Sequence, residues 1–309
     1  MTPKLKPLPD QVIVITGASS GIGLVTARMA AKSSAAVVAA ARNKDALRSL
    51  VNEIKGRGGR AAYVVCDVGQ QDAVRHVAER TVAAFGRFDT WVNNAGTAIF
   101  GRVWDVPMAD WHRMFNTTNG AWSTAPWRHL TTIAAAAGRA RSSTWAAPSA
   151  TARRLCRAPT PRPSSRCMAS RTRCAWRSST TGPPSPISLI HSGRIDTPYN
   201  EHAGNYMPMQ PVHRGMIYPP EAVAEAILWC AEHPKRDMYI GSQAKFAALL
   251  GSFAPRLSDK IMERIMYSSH QSRTGCRAAR TRVPCSIPAT AATSAAPTNP
   301  TCSAARAST

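Results

Sequence analysis

An α/β fold with a doubly wound parallel sheet is predicted by three features of the N-terminal part of the chain. Short β-branched apolar runs alternate with segments of helical periodicity. The first runs are apolar at successive positions rather than at every second one, which marks strands covered on both faces. A Gly-rich turn joins the first run to the first helix, at the end of the sheet where such folds place their ligands.

Residues 11–23 read Gln-Val-Ile-Val-Ile-Thr-Gly-Ala-Ser-Ser-Gly-Ile-Gly, a strand entering a turn and then the helical pattern Leu24 to Lys32. Ala35 to Ala41 is a second strand and Lys44 to Lys55 a second helix. Ala61 to Val68 is a third strand ending in Cys66-Asp67-Val68. Val74 to Phe85 is helical, with Val74, Val77, Val82 and Phe85 apolar. Thr90-Trp91-Val92 then leads into Asn93-Asn94-Ala95-Gly96. Glycines at a strand-to-helix turn let the backbone approach a pyrophosphate, which the free N–H groups of the helix hold. The competing reading is a Gly-rich turn that binds nothing.

Composition divides the chain. It carries 39 Lys+Arg against 17 Asp+Glu, a net +22. Residues 123–186 hold eleven Arg and 272–309 hold five, without a single acidic residue in either stretch, so the remainder is only +6. Lysine is absent between Lys55 and Lys235, and tyrosine between Tyr63 and Tyr199. A nucleic-acid-binding reading of this charge predicts Arg interleaved with aromatics, but 123–186 offers only Trp127, Trp145 and Trp176 without periodicity. Six of the eight cysteines lie in the two Arg-rich stretches, with no C-x-x-C pair and no His at metal-ligand spacing, so no metal is expected. Cys66 and Cys230 read as small buried residues, and His191 and His202 as structural or surface residues. Met1 to Asp10 has no apolar h-region and no run is long enough for a membrane span, which predicts a cytoplasmic protein without a membrane partner.

Thr16-Gly17-Ala18-Ser19-Ser20-Gly21-Ile22-Gly23, followed by Asn93-Asn94-Ala95-Gly96, resembles the short-chain dehydrogenase/reductase family, whose TGxxxGxG spacing it keeps. The resemblance implies a Rossmann-type fold and hydride transfer between a nicotinamide cofactor and a small alcohol/carbonyl substrate. It implies a cofactor turn formed by Thr16, Gly17, Ser19, Ser20, Gly21, Ile22 and Gly23, with the three glycines at the pyrophosphate. It further implies Asp67 and Val68 at the adenine, and Asn94, Ala95 and Gly96 beside the nicotinamide ribose. Arg42 stands near where NAD-preferring members carry an acidic residue; a guanidinium there suits a 2′-phosphate, which favours NADP over NAD. The competing reading of Arg42 is a solvated surface residue.

The resemblance resumes at Ile187 to Thr197, similar to the family's sixth strand and PGxxxT loop with Ser192 in place of Pro. Thr197 is then implied at the nicotinamide carboxamide, and 198–217 as the substrate lid. Pro220 to His233 is a helix with Val223, Ala226, Ile227 and Cys230 on one face, and Met238 to Gly241 a last strand. The expected extent is one domain over 8–272, with 273–309 a disordered tail. The family is usually homo-oligomeric.

The family's Ser, Tyr and Lys are missing. A free phenol has a pKa near ~10 and needs a neighbouring cation to act as an acid/base at neutral pH. Of the supporting Asn, Asn119 and Asn116 are both candidates, because Asn116-Thr117-Thr118-Asn119-Gly120 departs from the usual spacing. The Ala/Arg/Ser/Thr/Pro bias of 123–186 is that of a GC-rich gene translated out of frame. Taking the third base of each codon with the first two of the next, Trp145–Ala146 and Met168–Ala169 must each give Gly. From Arg141 the shifted frame permits Ile-Leu-Asn-Val-Gly-Ser, and from Pro159 Tyr-Thr-Ala-Ser-Lys-Phe-Ala-Val-His-Gly, with the Tyr thirteen codons after the Ser. Two compensating frame displacements, opening near Trp122 and closing between Gly182 and Ile187, are therefore expected. The alternative is a catalytically dead NAD(P)-binding protein. Arg, Pro and Ser interrupt every apolar run in 123–186, so the expected structure has an intact half over 8–122, an irregular middle without its strand, and a C-terminal part that docks only partly.

Overall fold

The computed structural model describes residues 5–101, 103–120, 143–146, 187–207, 217–233, 235 and 237–242. Four parallel strands, β1 (Val12–Thr16), β2 (Ala36–Ala41), β3 (Ala61–Val65) and β4 (Thr90–Val92), form a sheet of order β3-β2-β1-β4. Helices α1 (Gly21–Lys32), α2 (Lys44–Gly56) and α3 (Gln71–Phe85) make the crossovers. α1 begins earlier than the apolar periodicity suggests, because Gly21-Ile22-Gly23 already forms its first turn. α2 is capped by the Asn43 side chain, which accepts from the Ala46 N–H at 3.1 Å. Its Leu47, Leu50, Val51 and Ile54 are buried at helical spacing.

Both faces of β1 are covered, which explains a strand apolar throughout. Ile13 and Ile15 pack with Leu47, Leu50 and Ile54, while Val12 and Val14 pack with Val74, Val77 and Trp91 on the opposite side. At the N-terminal end of the sheet the Asp89 carboxylate accepts from the Val12 N–H at 2.9 Å and from Lys6 Nζ at 2.8 Å. Arg87 Nε donates to the same group at 3.1 Å. One buried carboxylate thus fixes the start of β1 against the start of β4.

β5 (Ile99–Phe100) and α4 (Met108–Phe115) follow β4, and a single wide π turn, Asn116–Gly120, ends α4. A second parallel ladder contains β6 (Ser143–Ala146), β7 (Ile187–Ser192) and β9 (Asp237–Ile240), in the order β6-β7-β9. β6 runs beside β4, so the strands of the two ladders follow one another as β3-β2-β1-β4-β6-β7-β9. β8 (Gly204–Asn205) pairs with β5, and α5 (Pro220–Glu232) covers the α1 side of the sheet.

Two expectations are corrected here. The middle stretch does supply a strand, with Ser143 opposite Ile187 and Ala146 opposite Ile190. Ladder bonds come from the backbone and need no apolar side chain, so the slot between β4 and β7 can be filled by Ser-Thr-Trp-Ala. The C-terminal part also docks fully among the described residues: Ile190, Ile195, Val223, Ile227 and Ile240 join Ile13 and Ile15 in one buried cluster. Gln11 Nε2 donates to Ala231 O at 3.0 Å, and the Leu8 N–H to Glu232 Oε1 at 2.8 Å, which fastens the end of α5 to the N-terminal segment. The remainder of 123–186, the tail from 273, and the domain's end at 272 lie outside the described residues.

Candidate functional site

The site forms where β1, β4 and β7 end. The Thr16 hydroxyl, 2 % exposed as a residue, donates to Val92 O at 3.2 Å and accepts the N–H groups of Asn94 and Ala95 at 3.1 and 3.2 Å. Asn94 Nδ2 returns two bonds, to Thr16 O at 3.1 Å and Gly17 O at 3.3 Å. The Gly-rich turn and the Asn94-Ala95-Gly96 turn are therefore one hydrogen-bonded unit, though 76 or more residues separate their bonded members.

Close approach dictates the glycines at two places. Gly17 has φ +68°, and a Cβ on it would lie 2.8 Å from Ala95 Cα. A Cβ on Gly23 would lie 2.3 Å from Gly17 O and 2.6 Å from Asn94 Nδ2, so α1 can reach the turn only with no side chain there. Gly21 faces Thr197, whose Cβ and Cγ2 lie 3.3 Å from its missing side chain. Ser20 provides no side-chain cap to α1. The N–H groups of a helix's first turn have no intrahelical partner, and such a donor set fits a pyrophosphate.

Ser19, Ser20 and Ile22 line the turn and are half-buried. Asp67 and Val68 continue from β3; Asp67 Oδ1 accepts from the Gly69 N–H at 3.0 Å and Val68 is buried. Arg42 leaves the end of β2 exposed, without a hydrogen bond or ion pair among the described residues. Of the two candidate asparagines, Asn116 lies beside Gly69, with its Cβ 3.7 Å from where a Gly69 Cβ would be. Asn119 lies in the wide turn, and its side chain falls outside the described residues. Thr118 makes the contact that the motif did not signal: it donates to Thr97 O at 3.1 Å and accepts from the Thr97 N–H at 3.4 Å.

The wall beyond Thr97 is also tied down. β5 and β8 pair in parallel, Tyr206 N donates to Phe100 O at 2.7 Å, and the Tyr206 hydroxyl donates to Asp110 of α4. Tyr199 packs against Ala98, Phe100 and Ala203. Its hydroxyl is buried without a partner among the described residues, and burial pushes its pKa upward, which keeps the phenol neutral. Neither tyrosine was signalled by a motif, because the pairing that positions them is non-local. His191 sits against Asp237 and stacks on Tyr239, and His202 is exposed, both away from a catalytic arrangement.

The model of the short chain dehydrogenase family matches residues 11–126, ending where the composition changes. An uncharacterized oxidoreductase, YxnA of Bacillus subtilis (strain 168), is 50% identical over 291 residues, covering 87% of this chain and 76% of that protein. The chain belongs to the short-chain dehydrogenase family. The next curated relatives align over shorter lengths, the chain spanning about a third of each of those proteins. Among solved structures, a metagenomic short-chain oxidoreductase in complex with NADP is 26% identical. It superposes with a TM-score of 0.54 over 75% of this chain and 96% of that one. An alcohol dehydrogenase of the archaeon Thermococcus sibiricus, 21% identical, gives 0.59 over 74% and 95%. This short-chain dehydrogenase therefore shares the α/β fold of these oxidoreductases. No helix among its described residues is long and apolar enough to cross a membrane.

Proposed function

We propose that this short-chain dehydrogenase is built to hold NADP(H) and to exchange hydride with a small alcohol/carbonyl substrate. The observation that carries the reading is the meeting of Gly17 and Gly21 with Asn94 and Thr197 at the strand ends, from three parts of the chain. The first turn of α1 binds the pyrophosphate, Asp67 and Val68 flank the adenine, and Asn94, Ala95 and Gly96 support the nicotinamide ribose. Thr197 holds the carboxamide. The exposed Arg42 guanidinium supplies charge-assisted bonds to a 2′-phosphate, and the 26%-identical relative in complex with NADP supports the same preference over NAD. When bound, the cofactor supplies or accepts the hydride. The reading takes 8–272 as one cytoplasmic domain.

A second reading concerns this polypeptide rather than its fold. With no Tyr between Tyr63 and Tyr199 and no Lys between Lys55 and Lys235, the chain lacks the Tyr-x-x-x-Lys pair and binds cofactor without turnover. Two compensating frame displacements account for that loss. The codons support them, because the shifted frame permits a Ser at Ala146–Ala147 and a Tyr-Thr-Ala-Ser-Lys from Pro159.

Nicotinamide fluorescence tests the proposal. Saturable binding of NADPH, tighter than NADH, with no oxidation in the presence of ketones is expected. Absence of saturation by either cofactor overturns the cofactor reading. Ketone reduction at an ordinary enzymatic rate overturns the inactive one. Independent reading of the gene across codons 119–187 decides the frame.

A further inference from the structure

We infer that Thr118 is a positioning residue of the cofactor site, coupling the end of α4 to the turn beside the nicotinamide ribose. The inference rests on the cofactor reading above and adds a residue to it. Thr97 directly follows Asn94-Ala95-Gly96, and both of its backbone polar groups are engaged by one hydroxyl: Thr118 Oγ1 donates to Thr97 O at 3.1 Å and accepts from Thr97 N at 3.4 Å. A two-way bond of this kind fixes distance and orientation together, which a single bond does not.

The wide turn gives the arrangement its reach. A π turn displaces side chains from the ordinary helical rows. Here Asn116, at its start, lies against Gly69 and hence beside Asp67 at the adenine end. Thr118, two residues on, reaches Thr97, which follows Asn94-Ala95-Gly96. The turn Asn116–Gly120 thus touches both the loop after β3, at Gly69, and the loop after β4, at Thr97. α4 packs Trp111 and Met114 on Ile99 and Val106, and Asp110 accepts from the Tyr206 hydroxyl, so the body of the helix is held on its β5 side. The Thr118 bonds extend that hold past the helix end to Thr97, and they do so with a hydroxyl.

Because Thr118 acts only on the nicotinamide half, the two halves of the cofactor separate its role from general stability. The full chain and its T118V, T118A and T118S variants are titrated with NADPH and with adenosine 2′,5′-diphosphate, which lacks the nicotinamide half. Loss of the hydroxyl in T118V is expected to weaken NADPH by about five- to tenfold, the size of one or two net hydrogen bonds. Affinity for the adenosine diphosphate should stay within about twofold, since the Thr118 hydroxyl bonds the residue that follows Asn94-Ala95-Gly96, on the nicotinamide side of the proposed site. T118S, which keeps the hydroxyl, restores NADPH binding, and T118A gives the same answer as T118V where valine distorts the turn. Unchanged NADPH affinity in both hydroxyl-free variants overturns the inference, as does an equal loss for both ligands. An unmodified chain that binds neither ligand instead overturns the cofactor reading, and this role with it.

Discussion

Single residues at the site are constrained by what touches them. A methyl on Gly23 would overlap the Gly17 carbonyl at 2.3 Å, and that oxygen is backbone, so it cannot swing aside. Gly23→Ala is expected to cost about 3 kcal/mol by overpacking and to abolish NADPH binding, as read by denaturant unfolding and fluorescence titration. Normal binding in that variant would show that α1 does not approach the turn as described. Cys66 is a buried thiol beside the site, pushed up from the ordinary 9.0 to about 12 by burial first and by the charge of Asp67 second. Its folded-state pKa is raised, so the neutral thiol favours the folded chain fully below pH 9.0, and that contribution disappears as pH rises towards about 12. Denaturation curves between these limits should fall less steeply for Cys66→Ala than for the unmodified chain; parallel slopes would remove Cys66 from the account. The glycine spacing was legible because backbone geometry forces one residue type. Thr118 was not, because a hydroxyl at the end of a helix carries no signal until Thr97, 21 residues away, is placed beside it.

Elements are held by a few polar anchors as well as by the apolar core. Asp89, its side chain 3% exposed, accepts from Val12 N and from two cations whose own side chains are 41% exposed. The exposed ends of Lys6 and Arg87 are screened by solvent and contribute little individually. The buried N–H of Val12 has no such relief. Asp89→Ala is therefore expected to destabilise by about 2–3 kcal/mol, mostly through that orphaned donor. Urea unfolding measures it, and a change within experimental error would mean that β1 and β4 need no fastening at their starts. Element positions were mostly readable from periodicity: α2, β4 and α5 fall within a residue or so of expectation. β6 was not readable, since Ser-Thr-Trp-Ala has no apolar run, and its place is fixed by the ladder of β7 instead.

For the molecule as a whole, cofactor binding and catalysis come apart. The residues proposed for the cofactor lie in 16–96 and at Thr197, outside the stretch of altered composition, whereas the expected acid/base pair falls inside it. A gene repaired to the alternative frame across codons 119–187 is expected to yield a chain with similar NADPH affinity and a reductase rate at least about 10²–10⁴ higher, the usual worth of a positioned acid/base. Assay of both proteins on a panel of ketones compares them directly. Equal rates would place the chemistry elsewhere in the fold. The docked C-terminal part supports this separation: α5 and β7 bury Val223, Ile227 and Ile190 in one cluster with Ile13 and Ile15 of β1.

The sequence by itself determined the parallel α/β order, the glycine turn and the break in composition, because hydrophobic period, backbone strain and residue counts are local quantities. Only the tertiary structure decided that β6 fills its slot, that the C-terminal elements complete the core, and that Thr118 meets Thr97. Those outcomes rest on hydrogen bonds and burial between distant segments, which exist only once the chain has closed on itself.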